Sequence, residues 1–176
     1  MERIIDNVFP EPVFNRLIST LNRQYKNWEY DVDFGRYHIS SEPLGKWLLP
    51  YLNQTIPLAK KTFNSETLLL SYGLIAMYEK KDDIIPVLPH HKDNNACTYT
   101  IDVCLQQDTP WSIWVEDKEY SLKANQAIVI YGETEEHWRE EFPDKDNNKV
   151  GMLFCHYVEP GHWWTQGVRR QDYTNG

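Results

Sequence analysis

The stretch PHHKDNNACTYTIDVCLQQ, residues 89–107, joins a cluster of histidine and aspartate to a run of alternating residues. In the run the odd positions are the more apolar set, Cys97, Tyr99, Ile101, Val103 and Leu105, whereas Thr98, Thr100, Asp102 and Gln106 are polar. This period of two predicts a β-strand with one face against a core or against helices. The other face is expected to look into a polar cavity or into solvent.

Further strand signals lie on both sides of this one. They are TLLLSYGLIAMYE (67–79), WSIWVED (111–117), QAIVIYG (126–132) and KVGMLFCHYV (149–158). Each is rich in β-branched and aromatic residues, and clusters of Asp, Asn, Gly and Pro separate them. From residue 67 onward, the chain is therefore predicted to form a β-rich body.

Two helices are predicted before residue 67. EPVFNRLISTLNRQY (11–25) places Val13, Leu17, Ile18 and Leu21 on one face at helical spacing. SEPLGKWLLPYLNQTIPLAKKTF (41–63) offers Ser41 as an N-cap, and its two prolines, Pro50 and Pro57, are expected to kink or split the helix.

Helices followed by short strands predict a mainly β fold, a sandwich or jelly roll with the helices packed on one sheet. A length of 176 residues favours a single domain. We expect residues 1–66 to be helical support, 67–158 to form the jelly-roll core, and 159–176 to be a C-terminal tail.

Composition excludes several classes of partner. The net charge of -8 argues against nucleic acid, because phosphate binding requires clustered Lys and Arg. No segment resembles a signal peptide or a membrane span, and three cysteines without C-x-x-C spacing suggest reduced thiols. The chain is therefore expected to be soluble and cytoplasmic, with neither a nucleic-acid nor a membrane partner.

The H-x-D spacing of His91 and Asp93 lets two side chains approach one metal ion from the same side. His137 follows the predicted strand at 126–132 and is the candidate for a third ligand. Two imidazoles and one carboxylate form the facial triad of non-haem Fe(II) sites, although zinc accepts the same donors. His90 is an alternative ligand or a donor to a ligand, but it breaks the spacing to Asp93.

These segments resemble the Fe(II)- and 2-oxoglutarate-dependent oxygenases, in their small prolyl-4-hydroxylase-like branch. The resemblance covers residues 67–158, with a weaker echo in RIIDNVFPEPVFNRLI near the N-terminus. It implies a double-stranded β-helix, a form of jelly roll. It also implies that His91, Asp93 and His137 are the iron ligands and catalytic triad, with 2-oxoglutarate and O2 as co-substrates.

The family also requires a basic residue that pairs with the distal carboxylate of 2-oxoglutarate. Lys149 matches the usual placement on the strand after the second histidine, and period-two alternation would put Gly151, Leu153 and Cys155 on the same cavity side. Arg139 competes for this role, because it lies two residues past His137 and a guanidinium binds a carboxylate bidentately. Tyr78 and Thr100 are further candidates for contact with the co-substrate.

The resemblance implies a hydroxylase that acts on an amino-acid or peptidyl side chain and releases succinate and CO2. The carboxylate of Asp93 favours hydroxylation over halogenation, since related halogenases have a small residue at that ligand position. The partner would be a small-molecule or peptide substrate, and the sequence does not indicate an oligomeric state. The alternative is a non-enzymatic jelly-roll module that binds a metal or a sugar.

Overall fold

The computed structural model describes residues 3–41, 45–143 and 148–166. Two α-helices form in the first part of the chain, α1 over Glu11–Gln24 and α2 over Leu49–Phe63. Helix α1 buries Phe14, Leu17 and Leu21, which agrees with the predicted apolar stripe. Helix α2 ends at Asn64, whose left-handed backbone (φ 53°) is a common helix terminus.

The second helix differs from its prediction in two respects. Pro57 lies inside a continuous α2, where its missing hydrogen bond falls on an exposed face that water can reach. Ser41 is not the N-cap, because α2 begins only after a 3-10 turn at Lys46–Leu48. The Ser41 hydroxyl instead accepts a hydrogen bond from the Gly73 amide at 3.0 Å.

Eleven strands form two antiparallel sheets in the described residues. They are β1 (Ile4–Ile5), β2 (Glu29–Asp31), β3 (Arg36–Ser40), β4 (Leu69–Glu79), β5 (Leu88–His91), β6 (Tyr99–Gln107), β7 (Ile113–Val115), β8 (Lys118–Tyr120), β9 (Ala127–Ile130), β10 (His137–Arg139) and β11 (Lys149–Val158). The major sheet has the order β1-β9-β6-β11-β4-β3-β2, and the minor sheet has the order β5-β10-β7-β8. Residues 1–66 thus supply three strands of the major sheet as well as the helices, which the prediction of helical support omitted.

The helices cover one face of the major sheet. Gly73 and Gly151 lie under them, and a Cβ at either position would collide with Leu52 of α2 or Leu21 of α1. The opposite face of the major sheet packs against the minor sheet through a second apolar cluster. That cluster includes Ala76, Tyr78, Cys104 and Met152 from the major sheet and Ile113 and Val115 from the minor sheet. The predicted jelly roll with helices on one sheet is confirmed.

Alternation in β6 also agrees with its prediction. Ile101 and Val103 pack in the helix-side core, whereas Thr100 and Asp102 are buried on the face toward the minor sheet. The space between the sheets therefore receives polar groups from β6, as the sequence indicated.

Trp163–Gln166 form a short 3-10 turn, and residues 167–176 of the predicted tail lie outside the described residues. All three cysteines are free and buried. No helix in the described ranges is long and apolar enough to cross a bilayer.

Candidate metal centre and co-substrate pocket

The two sheet-borne histidines of the predicted triad lie directly opposite each other. His91 ends β5 and His137 begins β10, and the two residues are antiparallel partners in the minor sheet. Their ring centroids are 4.2 Å apart. Because paired residues of neighbouring strands point to the same face, both imidazoles project toward the same space.

Backbone carbonyls orient both imidazoles for metal binding. The Nδ1 of His91 lies 2.7 Å from the Pro89 carbonyl oxygen, and the Nδ1 of His137 lies 3.0 Å from that of Glu135. A hydrogen bond donated from Nδ1 fixes the tautomer that leaves Nε2 as a lone-pair donor. Each Nε2 lies 3.6 Å from Oδ1 of Asp93.

Asp93 is held in place by the turn that precedes β10. Its amide donates to the Gly132 carbonyl oxygen at 2.8 Å, and the Thr100 hydroxyl lies 3.3 Å from Oδ2. A Cβ on Gly132 would collide with Asp93 Oδ2 and with the Cys97 carbonyl oxygen. Only glycine at position 132 allows the carboxylate this close approach.

The electrostatics of the cluster favour an ionised carboxylate. Burial acts to raise the pKa of Asp93, but hydrogen bonds from His137 and His91 outweigh it and hold that pKa well below its usual range. Burial acts to lower the pKa of His137, and the adjacent Asp93 carboxylate reverses this, so the net shift is upward. A divalent cation bound between these groups would likewise stabilise the ionised carboxylate.

The three residues fit a metal ion on their own geometry. One donor atom from each lies within 4.8 Å of the others. The set of two imidazoles and one carboxylate leaves further coordination positions open, as in a non-haem iron site. His90 points away: it is exposed, stacks on Trp138 at 3.9 Å, and lies 3.7 Å from Glu136.

A second group of possible ligands adjoins the triad and shares Asp93 with it. Asp93, Cys97 and His156 also offer donor atoms within 4.8 Å of one another. Burial raises the pKa of the Cys97 thiol, and Nδ1 of His156 lies 3.1 Å from the Thr100 hydroxyl. The neutral Cys97 thiol is a weaker metal ligand than the donors of the triad. Nδ1 of His156 is already occupied by its hydrogen-bond contact with the Thr100 hydroxyl. His91, Asp93 and His137 are therefore the stronger candidate for a metal site.

His156 is the residue near the site that sequence reasoning missed. The alternation inferred for β11 put Gly151, Leu153 and Cys155 toward the cavity and therefore placed His156 on the opposite face. It is buried beside Asp93 and Thr100, and burial lowers its pKa to about 4. It also packs against Tyr72, with ring centroids 4.6 Å apart.

Arg139 lies inside the jelly roll, two positions along β10 from His137. It is 4% exposed, and its guanidinium donates to the Trp111 carbonyl oxygen and lies over the Trp111 ring. Nη2 is 3.8 Å from the Met152 sulfur. Within the described ranges, no carboxylate lies at ion-pair distance from Arg139. Burial lowers its pKa, because the charge has little solvent to stabilise it.

Lys149 lies on the other side of the major sheet, contrary to the predicted alternation. Its ammonium lies 5.4 Å from the Tyr25 ring centroid, among residues that follow α1. Gly151, Leu153 and Cys155 share this helix-covered face, whereas Val150 and Met152 face the minor sheet. The pattern KVGMLFCHYV has the correct period, but the phase was assigned wrongly. Lys149 therefore cannot reach a ligand bound between the sheets.

Thr100 and Tyr78, the other residues predicted to contact the co-substrate, lie at two ends of the space between the sheets. Thr100 adjoins Asp93, at the metal end. Tyr78 is fully buried near Arg139, with its ring 5.0 Å from that of Trp111, and its hydroxyl accepts a hydrogen bond from Arg36 at 2.9 Å. Asp102 on β6 also interacts electrostatically with the Arg139 guanidinium, and Cys104 is buried in the cluster between the sheets. Polar side chains thus line the interior from the triad to Arg139.

Comparison with known proteins gives structural matches only. Neither a family model nor a curated protein matches the sequence. The non-haem α-ketoglutarate-dependent epimerase SnoN from nogalamycin biosynthesis matches with TM-score 0.67 and 14% identity, over 89% of this chain and 77% of that one. A Pseudomonas putida prolyl-4-hydroxylase matches with TM-score 0.64 and 10% identity, over 90% of this chain and 92% of that one.

HygX from Streptomyces hygroscopicus, whose crystal structure holds nickel and 2-oxoglutarate, is a further match. Its TM-score is 0.65 at 13% identity, over 90% of this chain and 82% of that one. At such identities the similarity establishes the fold. This chain therefore has the double-stranded β-helix fold of Fe- and 2-oxoglutarate-dependent oxygenases, as the sequence resemblance implied.

Proposed function

We propose that the protein is a non-haem Fe(II)- and 2-oxoglutarate-dependent oxygenase. One observation carries this proposal: a facial set of two imidazoles and a carboxylate shares an interior with a buried arginine that has no carboxylate partner in the described residues. An unpaired buried cation is costly, so Arg139 is best explained by an anionic ligand. A keto acid that chelates iron and ends in a carboxylate fits both features.

The residues divide the work between binding and orientation. His91, Asp93 and His137 would hold Fe(II), and Arg139 would bind the distal carboxylate of 2-oxoglutarate. When bound, iron and 2-oxoglutarate supply the oxidative chemistry, with O2 as the oxidant and with succinate and CO2 as products. The carbonyls of Pro89 and Glu135 keep both Nε2 atoms directed at the metal. The apolar cluster between the sheets excludes water from the co-substrate.

The finer part of the proposal is hydroxylation of an amino-acid or peptidyl side chain. A carboxylate in the triad supports hydroxylation, because it occupies the position that a halide would require. The likeness in fold to a prolyl-4-hydroxylase supports an amino-acid substrate, while the likeness to an epimerase shows that this fold accommodates another outcome.

The second candidate is a non-enzymatic jelly roll in which the metal is structural. The same three ligands would serve such a site. A structural site gives no role to Arg139, whose charge is buried away from the triad's own carboxylate. The two candidates therefore differ in whether a keto acid binds next to the metal.

The first test compares Arg139 and Lys149, the two basic residues that the sequence offered as partners of the distal carboxylate of 2-oxoglutarate. Anaerobic protein with Fe(II) is titrated with 2-oxoglutarate, and the weak visible charge-transfer band reports binding. We expect Arg139→Gln to weaken binding roughly 30-fold or more, the factor for losing one partner of a buried charge pair. Lys149→Gln is the matched control, and its affinity should equal that of the wild type, because Lys149 lies outside the interior.

Thermal unfolding of the metal-free proteins checks that the loss is one of binding. Removal of an unpaired buried charge should leave the unfolding temperature of Arg139→Gln unchanged or higher.

Absence of the charge-transfer band in the wild type would support the structural-metal alternative. Equal loss in both variants would contradict the assignment of Arg139.

A further inference from the structure

Asp102 is a buried acid that the proposed chemistry does not yet use. It lies on β6, two positions past Thr100, with its side chain on the face toward the minor sheet. It is 3% exposed. Thr100 contacts the metal-binding carboxylate, so Asp102 is the next interior position from the triad along β6.

One oxygen of the Asp102 carboxyl group lacks a hydrogen-bond partner among the described residues. This atom, Oδ1, is fully buried and accepts no hydrogen bond from any described residue. Buried polar oxygens without a partner are rare, because each loses its hydration without compensation. Such an atom, on a wall of the proposed co-substrate pocket, indicates a group that the ligand completes.

Arg139, on the facing sheet, does not complete it. Each of the two residues influences the pKa of the other across the space between the two sheets. Even so, they do not form an ion pair within the part of the chain that the structure describes. An acid and a guanidinium that are both buried and both incompletely paired can each contact a third group between the two sheets.

Burial shifts Asp102 toward its neutral form relative to an exposed aspartate. Burial, with a smaller contribution from the Asp93 carboxylate, raises its pKa to about 7, against the opposing effects of His137 and Arg139. The titratable groups that interact with it come from the turn before β6, from β10 and from β11: Asp93, Cys97, His137, Arg139, Cys155 and Tyr157. An ionised Asp102 would repel a dicarboxylate, whereas a neutral carboxylic acid has an O–H to donate.

We propose that the carboxyl group of Asp102 donates a hydrogen bond to a carboxylate of 2-oxoglutarate bound against Arg139. This proposal rests on the proposed function and names one further residue that determines its co-substrate specificity. The pocket then recognises a carboxylate through one cation and one neutral donor. Neither Arg139 nor a neutral Asp102 places a negative charge next to the 2-oxoglutarate dianion.

The test uses Fe(II)-loaded protein under anaerobic conditions, with 2-oxoglutarate affinity measured by calorimetry and by the visible band. Asp102→Asn keeps a neutral donor of the same shape, and Asp102→Ala removes it. We expect Asp102→Asn to bind within about threefold of the wild type near pH 6, and Asp102→Ala to bind roughly tenfold more weakly or worse, as for a lost hydrogen bond to a charged group.

The pH dependence separates donation from simple packing. The carboxylates of 2-oxoglutarate stay ionised between about pH 6 and about pH 8.5, so their charge does not change. Wild-type affinity should fall across this range as Asp102 loses its proton, whereas Asp102→Asn should fall less. Both proteins have the same triad, so any effect of pH on the metal ligands cancels in the comparison.

Three results would overturn the proposal: equal affinity of Asp102→Ala and wild type, equal pH profiles of Asp102→Asn and wild type, or a loss in Asp102→Asn as large as in Asp102→Ala. The third would mean that the pocket uses the ionised carboxylate. Failure of the proposed function looks different, because the wild type would then not bind 2-oxoglutarate at any pH.

Discussion

At the scale of single residues, the position of the Asp93 carboxylate, the candidate metal ligand, depends on a glycine. The Gly132 carbonyl oxygen accepts a hydrogen bond from the Asp93 amide, and Gly132 has no side chain to obstruct the Asp93 carboxylate. One of the atoms that an added methyl would meet is a backbone oxygen, that of Cys97, which cannot rotate away. Metal affinity is therefore expected to depend on a residue that is not a ligand.

Gly132→Ala should weaken Fe(II) binding about tenfold or more, which is the usual scale for residues that orient metal ligands. The measurement is an anaerobic competition titration against a metal-binding dye. Thr134→Ala, an exposed change in the same turn, is the control and should bind as the wild type does. Wild-type affinity in Gly132→Ala would show that Asp93 does not depend on this close approach.

The residues that the sequence identified are those with a distinctive spacing. Short local geometry sets the H-x-D pair, and the later histidine follows a predicted strand, so all three members of the candidate triad could be identified before the structure brought them together. His156 carries no such signal, since one histidine within an apolar strand reads as packing. Asp102 was identified only as a cavity residue, because its missing partner is visible only in three dimensions.

At the scale of elements, the phase of a strand is predictable only when its two faces differ in polarity. In β6 polar and apolar residues alternate, so the interior face could be assigned from the sequence. In β11 nearly every residue is buried on one side or the other, so the period survives but the phase is undetermined. The wrong phase placed Lys149 in the cavity and left Arg139 as a competitor.

An ion pair connects β1 to the turn before β10. Arg3 pairs with both carboxylate oxygens of Glu135 and also donates to the Val129 carbonyl oxygen. Burial acts to raise the pKa of Glu135, but the hydrogen bond from Arg3 lowers it below its ordinary value. Since Glu135 also supplies the carbonyl that orients His137, this pair helps to hold the His137 imidazole in place.

The sign of the pH effect follows from that lowered pKa. A carboxylate whose pKa is depressed in the folded state adds stability above its unfolded pKa and loses it as the pH falls. The free energy of unfolding of the metal-free wild type should therefore decrease more between about pH 6 and about pH 3 than that of Glu135→Gln. Urea unfolding at several pH values measures this difference, and parallel curves would refute the contribution of the pair.

At the scale of the whole molecule, the major sheet separates two cores with different tasks. The helix-side core, with Leu21, Leu52 and Ile75 among its members, is apolar packing that stabilises the fold. The core between the sheets combines apolar residues with Arg139, Asp102 and the triad. The fold class could be read from the order of helices and strands. The face that each residue joins depends on how the sheets pack, which local patterns do not encode.

Under the proposed function, the chemistry takes place in the interior between the sheets. Its polar residues are expensive to bury without ligands, whereas the helix-side core is complete in itself. Removal of one member of the candidate triad is therefore expected to abolish chemistry while the fold persists. Asp93 is the most informative position, because both histidines direct Nε2 at its carboxylate.

The most direct measurement is succinate release from 2-oxoglutarate in the presence of Fe(II) and O2, comparing wild type with Asp93→Ala. The wild type should release succinate and CO2 in equal amounts, and only when Fe(II), 2-oxoglutarate and O2 are all present. Asp93→Ala, folded by circular dichroism, should lose most bound iron and nearly all turnover. Full turnover in that variant, or none in iron-loaded wild type across candidate amino acids and peptides, would contradict the account.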